Sequence, residues 1–177
     1  MKSYKTQQYI LKKSHNIFID KGYSKATMTD IVNECGLSRG GVYRYFQSTK
    51  EIFIALVRQI NSQQLDSGFE SFQAFLENEK KDLLNIRNTI RVAGYEFMIQ
   101  ESQKDESHIA QEIYDSNINI IIQLTSLSKI QAEKIFMILE GLTVMALTGI
   151  LTIELIETHF NYIIELEKNV AKRDNHE

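Results

Sequence analysis

Residues 27–46 read TMTDIVNECGLSRGGVYRYF, and the punctuation of this stretch decides the fold. Thr27-Met28-Thr29-Asp30 sets a hydroxyl three residues ahead of a carboxylate. The hydroxyl can accept from a free backbone N–H, and the carboxylate can reach back, so a helix is predicted to begin after Thr27. Met28, Ile31, Val32 and Cys35 then form a short apolar stripe at helical spacing, and Gly36 stops it. Ser38 is positioned to cap a second brief helix, about Arg39 to Phe46, with Val42 and Phe46 facing inward at i, i+4. Two short capped helices about a tight glycine turn are the layout of a helix-turn-helix. In that motif the second helix brings its N-terminal residues against base edges in the major groove. The second helix here opens with Ser38, Arg39, Gly40 and Gly41 and continues through Tyr43, Arg44 and Tyr45. It is small at its entry and rich in donors. The two glycines cost ~1 kcal/mol each relative to alanine in a helix, and they permit close backbone approach to another surface.

Working outward, helix one is predicted from about Ser3 to Lys21, with Ile10, Leu11, Ser14, Ile17 and Phe18 on one face and Gly22 as its stop. Ser48-Thr49-Lys50-Glu51 is a second capping arrangement. It opens helix four, whose buried face is Ile52, Phe53, Leu56, Val57 and Ile60 and whose period can be followed past Gly68 to about Glu79. A charged break is expected at Asn78 to Asp82, then a helix from Leu83 to Glu101 and an acidic loop over Ser102 to Ser107. Further helices are expected from His108 to Leu127, Lys129 to Thr148 and Thr152 to Lys172, with Arg173 to Glu177 frayed. The fold class is therefore all-α, with about nine helices. A three-helix N-terminal domain occupies residues 1–47, with the start of helix four to about residue 60, and a larger helical domain fills 48–177.

Composition agrees. The 177 residues include no proline and 8 glycines, so little interrupts helices, and one cysteine, Cys35, excludes an internal disulfide and fits a reducing compartment. The N-terminus lacks the uncharged apolar block of a secretory signal. The longest uncharged apolar run, Gly141 to Ile153, is too short to span a bilayer, so no membrane association and a cytoplasmic location are expected. The net charge is -3, but it is unevenly placed: nine basic and three acidic residues give residues 1–50 a charge of +6, and the remainder carries -9. A basic head on an acidic body suggests that the head meets a polyanion.

The ordered set Phe18, Gly22, Tyr23, Thr27, Asp30, Ile31, Gly36, Ser38, Tyr43, Tyr45, Phe46 and Ser48 resembles the DNA-binding domain of the tetracycline-repressor (TetR) family, over about Ile10 to Val57. The resemblance implies a homodimeric regulator that binds a palindromic double-stranded operator, with a small-molecule effector pocket and the dimer interface in the C-terminal domain. Thr27, Ser38, Arg39, Gly41, Tyr43 and Tyr45 sit where the family contacts DNA. Thr29, Gly40, Arg44, Thr49 and Lys50 are further candidates in the same segment. The family's usual phosphate-binding lysine at the start of helix four is Thr49 here. Lys50 is the substitute, although its side chain points some 100° further round the helix. Tyr43 has packing against helix one as an alternative role, and Arg39 and Arg44 have plain solvation.

In the C-terminal half, Lys129 to Thr148 is apolar on nearly all sides and must be buried on more than one face. Gly141, Met145, Ile156, Phe160 and Ile163 are the expected dimer contacts, with a large monomeric core as the competing reading. Tyr95, Met98, Tyr114, Phe136 and Glu140 are the expected pocket residues, joined by Phe97, Met137 and Met145 as candidates; core packing is the competing reading for the aromatic and methionine side chains, and solvation or pairing with a neighbor for Glu140. Four scattered histidines and a lone cysteine give no metal-ligand spacing, and no phosphate-cradling glycine loop is present, so neither an enzyme nor a cofactor is expected. A helical interaction module that never meets DNA is the remaining alternative; the charge division and the helix-turn-helix oppose it.

Overall fold

The computed structural model describes residues 2–101 and 108–174, and the loop expected at Ser102 to Ser107 lies outside the described residues. Among those described, there are nine α-helices, one short 3-10 turn and no strand. In chain order they are α1 (Lys2–Lys25), α2 (Met28–Cys35), α3 (Arg39–Tyr43), α4 (Thr49–Ser67), α5 (Phe72–Leu84), α6 (Arg91–Glu101), α7 (Ile109–Leu124), α8 (Lys129–Thr148) and α9 (Ile153–Asp174). The 3-10 turn covers Ile86–Asn88. No helix among the described residues is long and apolar enough to cross a membrane.

Several element boundaries differ from the sequence reading, for local reasons. Gly22 does break helix one, as expected, at φ 73° and ψ 176°, a backbone region essentially confined to glycine. The helix then resumes to Lys25. Helix four stops at Ser67, before Gly68 in a left-handed conformation at φ 57°. The Ser71 hydroxyl restarts the chain as the N-cap of α5, accepting from the Ala74 N–H at 3.1 Å. The charged break expected at Asn78 to Asp82 is the interior of α5. Leu76, Glu79 and Leu83 keep its buried face, and Lys80 pairs with Glu157 at the surface. The helix expected from Leu83 to Glu101 is interrupted by the 3-10 turn before α6 begins. Helix α3 ends at Tyr43, three residues short of Phe46.

The contacts group the chain into two compact units, Met1–Gln63 with Arg87–Ala110, and Gln64–Ile86 with Gln111–Glu177. The sequence reading puts the division at 47/48. By contacts, the N-terminal unit also takes in most of α4 and all of α6, a helix distant in sequence. Its center is four aromatic rings: Phe18 and Tyr23 from α1, Phe53 from α4 and Phe97 from α6. Phe53 lies 5.0 Å from both Phe18 and Phe97, and Tyr23 lies 5.0 Å from Phe97. Each such pair adds about 0.5–1.5 kcal/mol to the gain from burial. Ile10, Ile31, Val42, Phe46 and Ile52 complete the core, as their spacing implied. Phe97, a candidate pocket residue from sequence, is instead buried in this aromatic cluster.

The C-terminal unit has its own core. Phe72, Phe75 and Leu76 of α5 pack with Ile118 and Ile121 of α7, Ile135, Leu139 and Leu142 of α8, and Ile156, Phe160 and Ile163 of α9. Helix α8 is closed at its far end by Gly149, a left-handed C-cap at φ 78°.

Candidate nucleic-acid interface

The helix-turn-helix is built from local hydrogen bonds. The Thr27 Oγ1 accepts from the Asp30 N–H at 3.1 Å, and the Asp30 carboxylate accepts from the Thr27 N–H at 3.1 Å and from its hydroxyl at 2.8 Å. The capping box is complete, and the Thr27 hydroxyl is engaged within it. Lys21 of α1 reaches the same carboxylate at 2.7 Å. That lysine, and then Thr27, hold the Asp30 carboxyl below its ordinary range. Gly36 turns the chain in a left-handed conformation at φ 61°, and its N–H donates to the Asn33 carbonyl. The Ser38 hydroxyl then caps α3 by accepting from the Gly41 N–H at 3.1 Å. A third cap follows at α4, where Ser48 Oγ accepts from the Glu51 N–H at 3.1 Å. The Glu51 carboxylate reaches one residue further back than the box predicts, to the Gln47 N–H at 2.6 Å.

These caps leave a particular set of groups outward. Ser38, Arg39, Gly40 and Arg44 are exposed, as are Thr27 and Thr29 at the start of α2. Gly41, Tyr43 and Tyr45 are half-buried. The Arg39 guanidinium lies 5.2 Å from the center of the Tyr43 ring, one helical turn away. The ring therefore supports the cation without removing its five N–H donors from use. A methyl built on Gly40 would meet nothing within 4 Å, whereas one on Gly41 would come 3.2 Å from Ser38 Oγ. The entry of α3 is thus a small, donor-rich, positively charged surface.

The candidate phosphate contacts at α4 behave differently. Thr49 is the first residue of that helix and half-buried. Lys50 is held by Glu101, the last residue of α6, at 2.9 Å. Two more α6 side chains reach the joint between α1 and α2. The Glu96 carboxylate accepts from the Ser24 N–H and the Ser24 hydroxyl, each at 2.9 Å, and Gln100 donates to that hydroxyl at 2.6 Å. Gly22 makes room for this: a Cβ there would lie 2.5 Å from a Glu96 oxygen. Tyr23 donates to Glu101 at 3.4 Å, and burial, then the neighboring carboxylate, push its phenol up to about 12. Sequence reasoning missed Glu96, Gln100 and Glu101. The one local sign of them was a glycine whose conformation admits a close neighbor.

The expected C-terminal residues divide. Tyr114 and Phe136 meet edge to face at 5.4 Å, the Tyr114 hydroxyl donates to Glu133 at 2.8 Å, and Glu140 follows Phe136 by one turn of α8. Tyr95 and Met98 lie on α6 in the N-terminal unit. Of the five expected dimer contacts, Ile156, Phe160 and Ile163 are buried in the core of a single chain, Ile156 and Ile163 at 0% exposure. A side chain with no surface left has none to offer a partner. Gly141 is exposed and Met145 half-buried. The apolar surface left outward on α8 is Ile130, Met137 and Val144, at 66%, 71% and 48% exposure, on the same side as Gly141.

Comparison with known proteins adds an independent finding. Residues 10–56 match the family model described as bacterial regulatory proteins, tetR family. The chain is 31% identical over 111 residues to the uncharacterized HTH-type transcriptional regulator YfiR of Bacillus subtilis, covering 58% of this chain and 54% of that protein. It is 25% identical over 114 residues to the HTH-type transcriptional activator FasR of Mycolicibacterium smegmatis, covering 55% of this chain and 47% of that one. The chain therefore spans about half the length of the curated relatives it matches. The crystal structure of a TetR transcription regulator from Haloarcula marismortui shares the fold, with a TM-score of 0.69 at 18% identity, over 94% of this chain and 98% of that one.

Proposed function

We propose, from the match of residues 10–56 to the tetR family of bacterial regulatory proteins, that the chain is a ligand-responsive transcriptional repressor of that family acting in the cytoplasm. In this reading a homodimer binds a palindromic operator and a small-molecule effector releases it. The observation that carries the DNA-binding part is the capped, outward-facing entry of α3, where Arg39, Gly40 and Arg44 stand exposed beside Tyr43. An arginine at that position can bond a guanine in two places, which is worth about 1–3 kcal/mol of discrimination between bases. Thr27, Thr29, Ser38, Gly41 and Tyr45 are proposed as flanking contacts. The test is a gel shift on the DNA upstream of the protein's own reading frame, against random DNA. Arg39→Ala is expected to narrow the preference for the specific site. Binding unaffected by Arg39→Ala and Tyr43→Ala together would remove α3 from the interface.

Dimerization is proposed through the outward side of α8, where exposed Ile130, Met137 and Val144 surround Gly141. A Cβ at Gly141 meets nothing within 4 Å in one chain, so Gly141→Arg has room in the monomer and none in a close helix pair. Sedimentation should show monomer for this variant; an unchanged dimer would place the interface elsewhere. For the effector, Tyr114, Phe136 and Glu140 are the proposed lining within the C-terminal unit, an aromatic corner with one carboxylate nearby.

A further inference from the structure

Lys50 and Glu101 stand 51 residues apart in sequence and 2.9 Å apart in space. The two oxygens of Glu101 are divided between two elements. Oε1 takes the Tyr23 hydroxyl near the end of α1, and Oε2 takes the Lys50 ammonium in the first turn of α4. Helices α2 and α3 are the chain between those two points. Lys50 is a cation in the segment whose net charge is +6, and its bonded partner is an anionic oxygen, the chemistry that a DNA backbone phosphate would also present. We propose that Glu101 is an internal stand-in for a phosphate: it holds Lys50 in the DNA-free protein, DNA has to displace it, and Glu101 thereby sets the affinity of the interface. This rests on the DNA-binding reading above and assigns Glu101 as a positioning residue that acts through Lys50.

The pair is partly buried yet open to solvent, with side-chain exposures of 33% and 24%, so a phosphate can compete for the Lys50 ammonium and the effect on affinity is modest. Glu101→Gln keeps an oxygen for the Tyr23 hydroxyl and removes the charge that holds Lys50. It is expected to tighten binding to a short random-sequence duplex by about two- to fivefold per subunit. Because Lys50 meets the phosphate in both proteins once Glu101 is displaced, the dependence of log affinity on log salt should stay the same in Glu101→Gln and flatten by about 0.9 per subunit in Lys50→Ala. Glu101→Asp retains the charge one methylene further back and is expected to tighten binding in the same direction. Lys50→Ala should weaken binding, and adding Glu101→Gln to it should change neither affinity nor salt slope. Thermal melts of each variant establish that the comparison is between folded proteins.

Three results would overturn the proposal. Tightening by Glu101→Gln that persists in the Lys50→Ala background would mean that the carboxylate acts only as bulk negative charge. A silent Glu101→Asp beside an active Glu101→Gln would mean the same. An unchanged salt slope in Lys50→Ala would mean that Lys50 reaches no phosphate. Wild-type protein that binds neither the random duplex nor its own upstream DNA would instead refute the DNA-binding reading, and would do so before any variant is made.

Discussion

Gly40→Ala separates the stability of α3 from its use. Gly40 is the second residue of a five-residue helix, its φ is not positive, and a Cβ built on it meets nothing within 4 Å. In the free protein the substitution therefore introduces no strain. Glycine is ~1 kcal/mol worse than alanine in a helix interior; so near the N-terminus a gain of about 0.5 kcal/mol is expected. For a chain of this size that is a rise in Tm of about 1–2 °C. DNA binding should move the opposite way. A methyl on a surface that docks against the duplex pushes the entry of α3 outward, and losing one bidentate contact such as that of Arg39 costs about 1–3 kcal/mol, or roughly five- to hundredfold in affinity. Gly41→Ala is the contrasting variant, because its Cβ would crowd Ser38 Oγ at 3.2 Å and disturb the cap itself. It should lose stability as well as binding. Circular dichroism melts and gel shifts on both variants make the measurement. A Gly40→Ala protein that is as stable as wild type or more so, with unchanged DNA affinity, would refute the claim that the entry of α3 approaches DNA.

Gly22→Ala forces a side chain into a backbone region that only glycine populates readily, costing about 1–3 kcal/mol, and displaces the Glu96 carboxylate from Ser24; a melt unchanged by it would argue that the kink is not maintained in solution. Phe97→Ala opens the aromatic center of the N-terminal unit and should cost about 3–5 kcal/mol, although Phe97 lies outside residues 10–56. Chemical denaturation would show this, and a loss below about 1 kcal/mol would mean that α6 is not part of that core. Tyr23 should ionize near 12 in an ultraviolet pH titration, later than in the unfolded chain. Because its folded value is raised, its contribution to stability is complete below about pH 10 and is lost as pH rises through 12, and Glu101→Gln should bring the transition down.

The helix-turn-helix was legible because its determinants are local. Thr27 and Asp30, Ser38 and Gly41, and Ser48 and Glu51 are three residues apart, within one helical turn, so the residue types announce the bonds. Gly36 and Gly149 end their helices for equally local reasons. The same locality misled at Asn78 to Asp82, where charge suggested a break. Leu76 and Leu83 anchor a buried face of α5 that runs through this stretch, with Glu79 on it, and that burial outweighs the polar run.

Sequence alone dictates an all-helical chain, the place and polarity of its helix-turn-helix, and the division of charge between head and body. Each follows from hydrogen bonds and periodicities that span a few residues. Tertiary structure alone decided which side chains meet across 51 to 78 residues: Lys50 with Glu101, Ser24 with Glu96, Tyr23 with Glu101. It also decided which side of α8 faces the core. A helix apolar on nearly every side has no periodic signal to choose a face. Ile135, Leu139 and Leu142 are inside because α5, α7 and α9 cover them, and Met137 and Val144 are outside because none of the described residues covers them.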